Sequence, residues 1–207
     1  MIGLSAPALA HDVTPSVIAA EAHLVARAQH DPAAFGPLYE EYFDPVYRYC
    51  YYRLGSAPAA EDAVSTVFIR ALEALPRYRP GPRSGSFRSW LFTIAHNVVA
   101  NQHRAASRRP LAPLTAASVV ADDLPSPEDH ALARDDAHTV QTLLAQLPAD
   151  QRQVVELRLS GLTDQEIAQV LGRRQGAVRT AHWRLVGKLR ACLERQTAGK
   201  GGTEGVL

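Results

Sequence analysis

The chain has 207 residues, 46% hydrophobic and 21% charged, with a net charge of +1. That balance supplies apolar material for packed cores and excludes a mainly disordered or fibrous protein. Cys50 and Cys192 stand alone, outside any paired-cysteine spacing, which argues against a zinc site or disulfide framework, and no run of about 20 apolar residues is present to span a membrane. Met1 to Ala10 lacks the basic and apolar regions of an export signal, so a cytoplasmic protein is expected.

Strand patterns are nearly absent and apolar residues recur at three-and-four spacing, so the expected fold is all-α: two small helical domains joined by a flexible linker. Residues 1–17 read as a disordered extension. A helix from Ile18 to Gln29 leads to Asp31-Pro32, an N-cap followed by proline where its missing N–H costs nothing. Asp44-Pro45 repeats that punctuation, so Ala33 to Leu54 reads as two helices or one kinked helix ending at Gly55. Its buried stripe is Phe35, Leu38, Tyr39, Tyr42, Val46, Tyr47 and Cys50.

The next helix spans Pro58 to Leu75, with Val64, Val67, Phe68, Ala71 and Leu72 inward and Glu61, Asp62, Arg70 and Glu73 outward, and Pro76 stops it. Arg77 to Ser86 is a loop rich in proline, glycine and arginine. Ser86 caps a helix to about Ala106 in which Phe87, Trp90, Leu91, Ile94, Ala95 and Val98 share one side. These elements make a first domain, 18–109. Residues 110–130 read as a linker, 131–196 as a second domain and 197–207 as a glycine-rich disordered tail. In the second domain a helix from Ala131 to Leu147 precedes Pro148-Ala149-Asp150, which opens another through Leu159, with Gly161 placed to end it.

Charge is unevenly spread. Between Glu73 and Asp122 there is no acid, while Arg77, Arg79, Arg83, Arg88, Arg104, Arg108 and Arg109 make the local field positive. Arg173 to Arg195 is a second basic run against the single acid Glu194. Two separated basic surfaces suggest two contacts with one polyanion. Thr163-Asp164-Gln165-Glu166 has the form of a capping box, followed by the inward residues Ile167, Val170 and Leu171 and by a turn at Gly172. The next helix has Val178, Leu185 and Leu189 inward. This is a helix-turn-helix, whose second helix carries Arg173, Arg174, Gln175, Arg179, His182 and Arg184 toward base edges and phosphates of a major groove.

Phe87-Arg88-Ser89-Trp90-Leu91-Phe92-Thr93-Ile94-Ala95-His96-Asn97, followed by Leu147-Pro148-Ala149-Asp150-Gln151-Arg152 and the helix-turn-helix, resembles the extracytoplasmic-function (ECF) group of the sigma-70 family of RNA polymerase sigma factors. Asp31-Pro32-Ala33-Ala34-Phe35 with Leu38-Tyr39 resembles sigma region 2.1. Glu61-Asp62-Ala63-Val64 with Val67-Phe68 resembles region 2.2. The resemblance implies a sigma region 2 bundle that binds core polymerase and melts the minus-ten element, and a region 4 that reads the minus-thirty-five element. It implies as partners core RNA polymerase, through the β′ clamp helices and the β flap, promoter DNA and an anti-sigma factor, with no membrane insertion, no cofactor, no metal and no catalytic residue. Carried over by position, Asp62, Val64, Phe68 and Arg70 are candidates for the polymerase contact, with Val64 and Phe68 also expected as core by their spacing.

For the minus-ten strand the candidates are Arg88, Trp90, His96, Asn97, Asn101 and Arg104, in a basic tract interleaved with Tyr78, Phe87, Trp90 and Phe92, the chemistry of phosphate attraction with base stacking. Trp90 and Phe87 serve equally well as core. The resemblance also places capture of a flipped base in the loop Arg77 to Gly85. For the minus-thirty-five element they are Arg173, Arg174, Gln175, Arg179, His182 and Arg184. Trp183 fits either a DNA contact or packing on the preceding helix. The family often has Gln-Glu where Ser65-Thr66 stands, Arg where His96 stands and Asp where Asn101 stands. The second reading is a helix-turn-helix regulator that binds duplex DNA without joining polymerase, which leaves the first domain unexplained. An enzyme would need a phosphate loop, paired carboxylates or a nucleophile motif, and none is found.

Overall fold

The computed structural model describes residues 15–81, 85–108, 140, 144–184 and 186–187. The linker 110–130, the tail, most of the helix expected from Ala131 and the residues Arg83, Arg109, Leu185, Leu189 and Cys192 lie outside these. All regular elements among the described residues are helical, apart from an isolated bridge between Gly81 and Gly85. α1 spans Pro15–Ala28, beginning three residues inside the segment expected to be disordered. Asp31 then caps as expected, its carboxylate accepting from the Ala33 N–H at 3.0 Å, but what it opens is a 3-10 turn, Pro32–Phe35.

α2 runs as one helix over Gly36–Leu54 with Pro45 inside it, and ends where Gly55 takes the left-handed conformation at φ 73°. It is the central helix of the first domain. Leu38, Tyr42, Val46, Tyr49 and Cys50 are buried along it, whereas Tyr39 is 41% exposed and Tyr47 half-buried, so the expected stripe is rotated toward Tyr49. The cause is coverage by α3 and α4, which both pack on α2. Burial pushes the Cys50 thiol up to about 12, which makes it an inert core group.

α3, Ala57–Ala74, buries Ala60, Ala63, Val64, Val67, Phe68 and Ala71. Leu72, expected inward, is 39% exposed, because no neighbouring helix covers that side. A 3-10 turn, Leu75–Arg77, leads into the loop, and Gln29 ties the loop to α1 by donating to the carbonyls of Leu75 and Tyr78 at 3.0 and 2.7 Å. α4 spans Phe87–Arg108. Its Phe87, Leu91, Phe92, Ala95, Val98 and Val99 are buried, a wider arc than one stripe, since α2 and α3 pack on it from the first domain and a helix of the second domain covers it as well.

In the second domain α5 is Ala149–Leu159 and α6 is Asp164–Leu171. The helix 175–184, here α7, follows. α5 packs on α2 and α6 on α4, so the buried residues of both domains merge into one apolar cluster. The two modules are therefore docked, not merely tethered.

Candidate nucleic-acid interface

The helix-turn-helix is built by local chemistry. Thr163 Oγ1 accepts from the Glu166 N–H at 3.3 Å, and a Glu166 carboxylate oxygen accepts from the Thr163 N–H at 2.9 Å, a reciprocal cap that starts α6. Gly172 ends α6 at φ 62°, a conformation that favours glycine, and turns the chain toward α7. Ile167, Val170 and Val178 bury the inner faces of the two helices. Arg158 braces the bend by pairing with Asp164 and donating to the Leu162 carbonyl.

Arg174, Gln175, Arg179 and Arg184 are exposed, and His182 is half-buried. Arg173 and Arg174 sit in the turn before α7 rather than on it, because the helix begins at residue 175. Arg173 is held by Asp150, the second residue of α5, at 2.7 Å. Trp183 is 80% exposed and does not pack on the preceding helix. Its indole stands four residues from Arg179 on the outward face of α7, beside the cations expected to meet DNA.

On α4, Asn97, Asn101 and Arg104 are exposed at i, i+4 and i+7 and so share one face. Arg104 donates to the Asn101 side-chain oxygen at 2.8 Å, holding the two ready as a pair. Phe92 is fully buried, in edge-to-face contact with Tyr49 at 5.7 Å, and Phe87 and Tyr78 are 4% and 5% exposed. These three rings are core, which decides Phe87 for the core reading and removes Tyr78 and Phe92 from the rings available for stacking. Trp90 is half-buried, with its ring 4.9 Å from Tyr78 and 5.4 Å from Phe87, so its outer side is the one stacking surface of that cluster.

His96 shares a hydrogen bond with the Tyr49 hydroxyl at 3.0 Å. Burial, with the positive charges of Arg53 and Arg173, pushes its pKa down, so the ring is neutral at neutral pH and reads as a polar brace rather than a cation. Arg88 lies over the Tyr42 ring at 5.6 Å and donates to the Gly161 carbonyl of the second domain at 3.1 Å. It is thus engaged inside the protein. On α3, Asp62 and Arg70 are exposed, while Val64 and Phe68 are buried and serve packing. Beside Arg70, Ile69 is 60% exposed, a large apolar residue absent from the sequence expectations. No group of three or more His, Cys, Asp or Glu suited to a metal exists among the described residues, and no described helix is long and apolar enough to cross a membrane.

Comparison with known proteins decides the family. The model of Sigma-70 region 2 matches residues 38–109, and that of Sigma-70 region 4 matches residues 137–185. The ECF RNA polymerase sigma factor ShbA of Streptomyces griseus is 38% identical over 161 residues, covering 72% of this chain and 81% of ShbA. This chain is an ECF sigma factor. The sigma factor BldN of Streptomyces coelicolor is 40% identical over 166 residues, 79% of this chain, which spans only 62% of BldN's length. SigD of Mycobacterium tuberculosis is 36% identical over 157 residues, 70% of each chain. Among solved structures, CnrH in complex with the cytosolic domain of CnrY has TM-score 0.64 and 26% identity, covering 85% of this chain and 98% of CnrH. In sigma terms, α2 to α4 belong to region 2 and α5 to α7 to region 4.

The residue that sequence reasoning missed is Glu156. It is 1% exposed in the middle of α5 and pairs with Arg53, at the end of α2, at 3.1 Å. Their separation of 103 residues leaves no local signal.

Proposed function

We propose that this sigma factor binds core RNA polymerase through the outer face of α3, opens the minus-ten element along α4 and reads the minus-thirty-five element through α7. The observation that carries this is the pairing, in one chain and in the sigma order, of an exposed Asn97-Asn101-Arg104 face with a helix-turn-helix bearing exposed Arg174, Gln175, Arg179 and Arg184. The first face offers amide hydrogen bonds and a cation to a single strand next to the Trp90 ring. The second offers bidentate donors to base edges and charge to phosphates.

The polymerase contact centres on Asp62 and Arg70, with the exposed Ile69 next to Arg70 as an apolar anchor. The protein acts as a binding subunit and lends no catalytic group of its own. It works in the cytoplasm, where polymerase and chromosome are. A protein regulator that occupies the sigma factor is a further expectation, supported by the similar CnrH having been solved with the cytosolic domain of CnrY.

The test is retention of core polymerase on immobilised protein, wild type against Asp62→Ala, Ile69→Ala and Arg70→Ala. Loss of retention in these variants with unchanged thermal unfolding supports the α3 contact. Retention equal to wild type in all three removes it.

A further inference from the structure

The stacking surface of Trp90 depends on the rings it rests against. Trp90 lies 4.9 Å from Tyr78 and 5.4 Å from Phe87, and those two meet each other edge-to-face at 5.9 Å and 81°. Phe87 is the first residue of α4 and takes its place from that helix. Tyr78 belongs to the loop, following the 3-10 turn Leu75–Arg77 in an extended conformation at φ -62° and ψ 134°. An irregular segment has many conformations to lose, so a loop residue that supports a binding surface needs its backbone held.

That hold comes from α1. Gln29, the residue after the last of α1, donates from its side chain to the Leu75 carbonyl at 3.0 Å and to the Tyr78 carbonyl at 2.7 Å. Both partners are acceptors, so only the amide NH2 can serve, and its two hydrogens match the two carbonyls. The Leu75 carbonyl also accepts from the Tyr78 N–H at 3.0 Å, which joins the stem of the loop and Gln29 into one network. The bonds from Arg79 to the Pro76 and Tyr78 carbonyls, at 3.1 and 2.9 Å, and from the Tyr78 hydroxyl to the Gly85 carbonyl, at 3.4 Å, stay within the loop. Gln29 is itself well placed: its N–H donates to the Val25 carbonyl at 3.0 Å, and Val25 and Ala28 are buried. A second α1 residue acts on the same cluster. The Tyr42 hydroxyl donates to Glu21 at 2.9 Å, and the Tyr42 ring stands edge-to-face against Phe87 at 5.5 Å. Tyr42 and Tyr78, which both contact Phe87, are thus tied to α1, a helix that precedes the stretch 38–109 matched by the region 2 model.

We propose that Gln29 is a positioning residue for minus-ten strand binding: by fixing the Leu75 and Tyr78 carbonyls it seats the Tyr78 ring against Trp90 and holds the stem that carries the exposed Arg77 and Arg79. The inference rests on the reading of Trp90 and α4 as the single-strand surface. Gln29 touches no base. It keeps the surface assembled before the strand arrives, so its loss lowers the fraction of molecules ready to stack and lowers affinity in proportion.

The experiment is titration of the full chain with a short, dye-labelled, mixed-sequence single-stranded oligonucleotide, in a Trp183→Phe background that leaves Trp90 as the single tryptophan. Dye anisotropy reads affinity, and Trp90 quenching at saturation reads stacking. Gln29→Glu keeps the size of the side chain but sets a carboxylate against two carbonyls. It is expected to weaken strand affinity about tenfold and to reduce the quenching, with duplex retention through α7 unchanged. Gln29→Ala, which loses the bonds without adding charge, is expected to act in the same direction and decides the matter if Gln29→Glu fails to fold. Cys50→Ala thins the core elsewhere and is expected to lower the unfolding midpoint while leaving affinity and quenching near wild type. Folded Gln29 variants that match wild type in both readouts overturn the proposal. So does a Cys50→Ala protein that loses strand affinity in step with its stability, since the Gln29 effect is then general loosening. Trp90→Ala tests the reading underneath. Wild-type strand affinity in that variant removes Trp90 from the strand surface, and the inference falls with it. Loss in Trp90→Ala without loss in the Gln29 variants overturns the inference alone.

Discussion

Phe92→Ala separates core packing from strand contact on α4. The ring is 0% exposed and meets Tyr49 edge-to-face at 5.7 Å and 69°. Removing a fully buried phenylalanine costs about 3 to 5 kcal/mol through lost transfer energy and the cavity left behind. Domains of this kind hold only about 5 to 15 kcal/mol in total, so the variant keeps a fraction of its stability. For a chain of this length each kcal/mol moves the midpoint by about 2 to 4 °C, which predicts a fall of roughly 6 to 20 °C. Urea unfolding followed by circular dichroism reads the free-energy change, and minus-ten strand binding at low temperature reads function. The expected result is a large stability loss with strand affinity near wild type once the protein is folded. A loss below about 1 kcal/mol accompanied by lost strand binding would refute the assignment of Phe92 to the core.

Thr163→Ala removes the cap of α6 and is expected to cost about 1 kcal/mol, lowering duplex affinity without changing base preference, as a binding-selection experiment would register. Arg179→Ala is expected to weaken minus-thirty-five binding by about 1 to 3 kcal/mol; an unchanged preference at every position of that element takes Arg179 out of the reading set. Burial raises the Glu156 carboxyl from 4.5 to about 7, against the lowering pull of Arg53 and Arg152. Since the folded state then holds this proton more tightly than the unfolded one, its contribution is complete below about pH 4.5 and is lost as pH rises toward 7. His96, with a lowered pKa, acts in the opposite sense, losing stability as pH falls below the ordinary histidine value. Chemical unfolding across pH 5 to about 8 should thus change slope in the Glu156→Gln and His96→Gln variants in opposite directions; a shared direction contradicts the burial of one of them.

Local signals are legible in the sequence itself. The Thr163–Glu166 cap, the left-handed turns at Gly55 and Gly172 and the Asp31 cap are each written within four or five residues, because the hydrogen bonds that make them are short in sequence. The exposed Asn97-Asn101-Arg104 face also follows from helical spacing alone. What failed depended on which neighbours cover a helix. A helical wheel gives Leu72 and Tyr39 the same claim to the core as Phe68 or Tyr42, yet Leu72 stays 39% exposed and Tyr39, though it packs on Phe68 and Phe43, 41% exposed, while Tyr49 and Phe92 are sealed where α2 and α4 meet. The docking of region 4 on region 2 was unreadable for the same reason. Arg53 looks like an ordinary cation at a helix end and Glu156 like an ordinary exposed acid until the two are brought together.

The most direct test of the sigma assignment is run-off transcription on a genomic promoter library with purified core polymerase, with and without this protein, sequencing the new start sites. New transcripts that share two spaced upstream motifs are predicted. Duplex DNA retention with no initiation gained by core polymerase would contradict the account and leave a stand-alone helix-turn-helix regulator in its place.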